Sequence, residues 1–297
     1  MKKFAVEGAD VLTPTGWIKN ACVVIENGKF LSIDTSCTQR LPTTVAKGLL
    51  MLPGIVDIHG DSFERAIAPR PGVRFPLDMA ILENDRNLIA AGITTFFYSI
   101  TDSYEPGLRS RDTARGIIDF VLGEGLKQVE ELVTLANKHK IAIASHDDDT
   151  EAKVELSAKR GVSIAEFPAT IELAAKSRDY GASVLMGAPN LIRGGSHVGW
   201  MSVEAAATAG VLDCLCSDYH YPSLFHAPFK LAQMGIMDFE QAWKLVSTYP
   251  AKAAGIRDTK GRIATSWDAD FILVKPNENY ISAIASVYVA GQEVAKY

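Results

Sequence analysis

Two periods of apolar and polar positions alternate along this chain. Short, nearly continuous apolar runs recur at 55–58, 93–100, 141–145, 163–166, 183–186 and 211–216, bounded by Gly, Pro, Asn or Asp. Such runs between turn residues read as buried strands. Stretches of helical period separate them, near 77–91, 111–137, 150–160, 169–179 and 202–209, with another at 238–254. The first presents Met79, Leu82, Leu88 and Ile89 and stops at Gly92, and the second is interrupted at Gly123 and Gly125. Buried strands alternating with helices predict a parallel sheet covered on both faces. The ends of the chain follow a different pattern. Ala21-Cys-Val-Val-Ile25, the turn Asn27-Gly28 and Lys29-Phe-Leu-Ser-Ile33 make a hairpin. The segments 269–274 and 283–289 are further strands, with a turn at Gly291-Gln292. The pattern predicts an α/β protein: a (β/α) barrel-like domain over 51–259, and a small β-sandwich built from 1–50 and 260–297.

Composition narrows the class. The 297 residues are 47% hydrophobic and 22% charged, as in a folded globular protein. The formal charge of −5 argues against a nucleic-acid partner. Neither a secretory leader nor an apolar run long enough for a membrane span is visible, and a cytoplasmic protein is expected. Cys22, Cys37, Cys214 and Cys216 form no CxxC pair, and all four are expected to be reduced.

The chemistry gathers where strands end. The first run delivers His59-Gly-Asp61, with imidazole and carboxylate two residues apart and therefore on one side of an extended chain. Later runs end in Ser145-His-Asp-Asp-Asp149, Ala165-Glu-Phe-Pro168, Met186-Gly-Ala-Pro-Asn190 and Cys216-Ser-Asp-Tyr219. A single acid after a strand is commonly a helix cap. Recurrence of His, Asp, Glu and Asn at successive strand ends points instead to a divalent-metal site. The segment from Asn190 to Gly199 reads as a loop in which Arg193, Gly194, Gly195, Ser196 and His197 could cradle phosphate. Arg65, Arg70 and Arg74 are further phosphate contacts or a solvated basic loop.

Together these motifs resemble the amidohydrolase superfamily, and within it the diphosphatases of phosphonate metabolism in the carbon–phosphorus lyase pathway. The resemblance is carried by Leu52-Pro-Gly-Ile-Val-Asp-Ile-His-Gly-Asp61, Pro69-Arg-Pro-Gly-Val73, Ala91-Gly-Ile-Thr-Thr95, Ala144-Ser-His-Asp-Asp148, Ile164-Ala-Glu-Phe-Pro168, Met186-Gly-Ala-Pro-Asn190, Arg193-Gly-Gly-Ser-His197 and Ser217-Asp-Tyr219, in the expected order. It implies hydrolysis of the triphosphate of an α-D-ribose 1-alkylphosphonate to the 5-phosphate and pyrophosphate. It implies a metal shell of His59, Asp61, His146 and Asp218, with Asp218 also the general base and Glu166 a further ligand or base. Zinc leads among the possible metals, with manganese, iron and magnesium behind it. Arg193 and His197 would hold the polyanion. Amide or cyclic-amide hydrolysis is the alternative chemistry, and a non-catalytic binding protein the alternative class.

One departure stands out. Between Ile100 and Ile141 the family carries two more strands, yet a βα unit takes roughly 30 residues. The interval here accommodates one helical region, so six central strands are expected rather than eight. A barrel missing two units would leave strand edges open. The apolar positions Ile117, Ile118, Phe120, Val121, Leu122, Leu132 and Leu135 would cover them or meet a second copy, and a homo-oligomer is expected.

Overall fold

The computed structural model describes residues 3–38, 40–99, 129–195, 199–277 and 282–297. Two compact units emerge, one of Met1–Asp57, Leu88–Phe96 and Pro222–Tyr297, the other of Ile58–Asn87 and Phe97–Tyr221. Among the described residues no helix is long and apolar enough to cross a membrane.

The first unit is built on a sheet that interleaves the two ends of the chain. Its strands are β1 (Lys3–Thr13), β2 (Gly16–Glu26), β3 (Lys29–Asp34), β4 (Thr43–Val45) and β5 (Leu50–Pro53), joined by the later strands β12 (Phe271–Lys275), β13 (Ala283–Val289) and β14 (Gln292–Lys296). The order is β14-β13-β12-β5-β1-β2-β3, with β4 also on β1. The seam is β5, parallel to β1 and antiparallel to β12, which sets Met51 against Leu273. Ala21, Cys22, Val23, Val24 and Ile25 are all buried. Phe30 and Phe271 lie at 5.9 Å, and Tyr288 stacks on Phe271 at 4.3 Å. Lys29 and Lys260 both reach Asp268, at 2.8 and 3.1 Å. Burial pushes the Asp268 carboxyl up, but these ammonium groups outweigh it and hold it below its usual range.

The cysteines correct one expectation. Cys22 and Cys37 are joined by a disulfide, whereas Cys214 and Cys216 are buried thiols outside it. The hairpin of β2 and β3 folds the chain back, so that two residues 15 apart in sequence have Cα atoms 5.3 Å apart.

The parallel part of the molecule begins at β6 (Ile55–Gly60), all six residues of which are buried. Its start depends on a close approach at Gly54, where a Cβ would collide with the Thr94 side chain. Gly54→Ala is therefore expected to destabilise the protein by about 1–3 kcal/mol, the range of core overpacking, read as a lower denaturation midpoint. An unchanged midpoint would show that Thr94 gives way freely. β6 pairs with β7 (Ile93–Tyr98), and the helix Leu77–Ala90 lies between them in sequence.

The strands β8 (Ala144–His146), β9 (Ile164–Glu166), β10 (Ser183–Gly187) and β11 (Cys214–Cys216) follow in a parallel sheet ordered β11-β10-β9-β8. The helices Glu151–Lys159, Ile171–Asp179 and Val203–Thr208 fall where the pattern predicts. Each starts at a hydroxyl that accepts from the third residue on: Thr150 from Lys153, Thr170 from Leu173, Ser202 from Ala205. Just past β11, Asp218 bridges Gly60 in parallel fashion. The strands β6 to β11 are thus the six that the pattern predicts, among the described residues. Among the described residues no strand pairs with the outer edge of β7 or of β8.

Two expectations change. The segment from Asn190 is not a loop at its start: Ala188–Arg193 is a helix, because Pro189 is preorganised for a first turn. The stretch 238–254 splits into Phe239–Lys244 and Thr248–Ala253, since Pro250 has no N–H to continue the helix from Val246. The region 111–137 is described only from Val129, in the helix Val129–His139, and the residues proposed to cover the open edges lie mostly outside the described residues.

Candidate metal centre

Three residues at strand ends converge. His59 from β6, His146 from β8 and Glu166 from β9 place their ligand atoms within 4.8 Å of one another. His59 and Glu166 are buried, at 8% and 6% exposure, whereas the His146 side chain is half exposed. Two imidazoles and a carboxylate are the donor set of zinc and its neighbours. A buried carboxylate beside imidazoles is also costly without a cation or proton to balance it. On both grounds the residues fit a divalent metal.

His59 is fixed from its Nδ1 side. Glu166 Oε2 lies 3.0 Å from that nitrogen and Ser99 Oγ lies 3.2 Å from it. An imidazole whose Nδ1–H donates to a carboxylate presents its Nε2 lone pair outward, the arrangement of many metal-binding histidines. Ser99 Oγ also accepts from the Gly60 N–H at 3.1 Å, which ties the end of β7 to the end of β6. One residue before it, the Tyr98 hydroxyl donates to Asp85 and accepts from Asn84, and Tyr221 donates to the same Asn84. Burial, reinforced by Asp85, pushes Tyr98 up to about 12, so it stays neutral and keeps donating.

The remaining predicted residues are placed as follows. Asp218 is drawn to the first strand by its backbone: its N–H donates to His59 O and its carbonyl accepts from Asp61 N–H, both at 3.1 Å. A Cβ on Gly187 would stand 3.1 Å from Asp218 Oδ2, so the carboxylate hangs over the end of β10. Neither Asp61 nor Asp218 is one of the three clustered ligands. Arg70 is exposed and forms a tight turn with Val73. The N–H groups of Gly194 and Gly195 both donate to Asn190 O, at 3.1 and 2.7 Å. They close the helix Ala188–Arg193, and the exposed Arg193 donates to Gly195 O at 3.0 Å. The two amides offered to phosphate on sequence grounds are thus engaged as a helix cap. Asn190 Oδ1 is buried with no hydrogen-bond partner among the described residues. Ser196 and His197 lie outside the described residues.

Sequence reasoning passed over Phe167 and Ser99. For Ser99 only its position near the end of a predicted strand was available. Phe167 stood inside a quoted motif, but a phenylalanine there reads as core.

The chemistry and the strand-end geometry define a class, and comparison with known proteins agrees. The amidohydrolase family model matches residues 120–294, more than half of the chain, and the chain belongs to that family. It is 29% identical, over 360 residues that take in 91% of this chain and 94% of the relative, to the alpha-D-ribose 1-methylphosphonate 5-triphosphate diphosphatase of Escherichia coli (strain K12). An alignment longer than the chain itself leaves many positions of that relative unmatched here, consistent with the short interval after β7. Among solved structures, an amidohydrolase from Thermotoga maritima MSB8 superposes with a TM-score of 0.73 at 17% identity, covering 99% of this chain and 100% of that one. An adenosine deaminase from Xanthomonas campestris with bound zinc gives 0.67 at 13% identity, covering 98% and 92%. At these identities the likeness is one of fold. The protein is a hydrolase of the amidohydrolase family.

Proposed function

We propose that the protein cleaves a phosphoanhydride of a phosphorylated ribose carrying an alkylphosphonate at C1, taking the triphosphate to the 5-phosphate with release of pyrophosphate. The observation that carries this reading is the match to the Escherichia coli diphosphatase along nearly the whole of both chains. In it, residues 51–259 carry the chemistry on a shortened (β/α) barrel, and 1–50 with 260–297 form the supporting β-sandwich. His59, His146, Asp61 and Asp218 would hold a divalent cation, zinc first and manganese, iron or magnesium next, with Glu166 beside them on His59 Nδ1. The cation would supply Lewis acidity toward the phosphoryl oxygens and toward water. Glu166 keeps His59 in the metal-binding tautomer. Asp218 Oδ2 accepts the proton of the attacking water. Asn190 Oδ1 accepts from a sugar hydroxyl, while Arg70, Arg193, Ser196 and His197 meet the polyphosphate, and Gly194 and Gly195 cap the helix that carries Arg193. The substrate is a small molecule, and neither nucleic acid nor membrane takes part.

The test is phosphorus NMR of zinc-loaded protein with the ribose 1-methylphosphonate 5-triphosphate. Pyrophosphate and the 5-phosphate should appear in equal amounts. Opening of a cyclic amide without pyrophosphate release would replace the reading with amide hydrolysis. Turnover of neither would mean that the hydrolase acts on a different substrate class.

The reading includes a homo-oligomer. Phe97 at 39% exposure and Ile141 at 62% lie on β7 and just before β8, whose outer edges no strand pairs among the described residues. Light scattering at micromolar concentration should give a mass at least twice that of one chain, and a monomer mass would remove the oligomer from the reading.

A further inference from the structure

We infer that Phe167 is a positioning residue of the metal centre, holding the imidazoles of His59 and His146 against one shared aromatic wall. The inference rests on the metal-centre reading above. The Phe167 ring stands at 88° to the His59 ring with centroids 5.3 Å apart, and at 87° to the His146 ring at 5.1 Å. Perpendicular contacts of this kind are the favoured geometry for aromatic pairs. The two imidazoles are themselves 5.6 Å apart. A single side chain therefore touches both nitrogen donors.

The backbone shows that this placement is imposed. Phe167 has φ +53°, in the left-handed region that a bulky side chain rarely enters. It also precedes Pro168, which disfavours helical backbone for the residue before it. A ring needed only for burial gains nothing from such a conformation, and Phe167 is only part-buried. The chain turns over at this point because the Phe167 N–H continues the ladder to Leu185 O at 3.0 Å, while the side chain is thrown back over the strand ends. Gly187 lies beside the ring, a Cβ there standing at ordinary van der Waals distance, 3.6 Å, from Phe167 Cε1.

His146 has most to gain. The second torsion of a histidine is soft. His59 is pinned by Glu166 and Ser99, whereas the His146 side chain is half exposed and leans on Asp147 Oδ2 at 3.2 Å. Asp147 is itself left-handed, with φ +58°. Removing the aromatic wall frees the more mobile of the two donors.

The experiment compares Phe167→Leu, Phe167→Tyr and His59→Ala for cobalt(II) affinity, for the cobalt absorption spectrum, and for melting without metal. Phe167→Leu should bind cobalt about tenfold more weakly or worse, the usual cost of losing an outer support, with an altered spectrum but near-parental metal-free melting. Phe167→Tyr, which keeps the ring, should restore affinity and spectrum. If the leucine variant does not fold, Phe167→Met, of similar volume and without a ring, takes its place. Parental cobalt affinity and spectrum in the leucine or methionine variant, with cobalt lost in His59→Ala, would overturn the role of Phe167 alone. Cobalt retained in His59→Ala would overturn the metal centre and this inference with it.

Discussion

His59→Ala is expected to lose its bound metal and at least a hundredfold in turnover. The imidazole is both a donor and the partner of Glu166, and its removal affects the two roles separately. As a donor it is one of three clustered groups, so metal content by mass spectrometry should fall from stoichiometric to a small fraction. As a partner it lies 3.0 Å from a carboxylate that is 6% exposed. Taking away one member of such a buried pair costs about 3–5 kcal/mol when the other remains charged. The metal-free variant should therefore also melt lower. Glu166→Gln separates the effects: the amide keeps size and hydrogen bonding to His59 but removes the negative charge. It should melt close to the parent and still bind metal about tenfold more weakly or worse. Full metal retention in both variants would show that other residues form the centre.

The second large effect is expected at Asp218. Asp218→Asn should give a folded, metal-binding protein whose kcat is reduced roughly a hundredfold or more, the usual loss of a general base. The substitution suits this position. Asp218 has φ +53°, and Asn tolerates the left-handed region as well as Asp does. Its backbone is held on both sides by His59 and Asp61 whatever the side chain. What changes is the capacity to take a proton. Asp218→Ala would confuse this result, because alanine at a positive φ adds strain. Near-parental kcat in Asp218→Asn would sink the general-base assignment and leave Asp218 a structural role at the end of β11.

Much of this was determined by sequence alone. The strands β6 to β11 are legible because buried strands are short apolar runs, and the helices between the later ones because Thr150, Thr170 and Ser202 cap them locally. The hairpin at Asn27-Gly28 follows from two residues that accept positive φ. The identities of His59, His146 and Glu166 as metal-binding candidates were legible for the same reason: strand ends are marked by pattern, and donor chemistry by residue type. Tertiary structure decided the rest. Which acids stand beside which imidazoles depends on strand order and on left-handed turns at Asp147, Phe167 and Asp218, none of which leaves a periodic signal. It brought Glu166 to His59 and kept Asp61 and Asp218 out of the three-residue cluster. It engaged the amides of Gly194 and Gly195 in a helix cap, and joined Cys22 to Cys37, a pairing that the cysteine spacing alone does not reveal. Local pattern reports what a residue can do. Long-range pairing, summed over many backbone contacts, determines which neighbour it does it with.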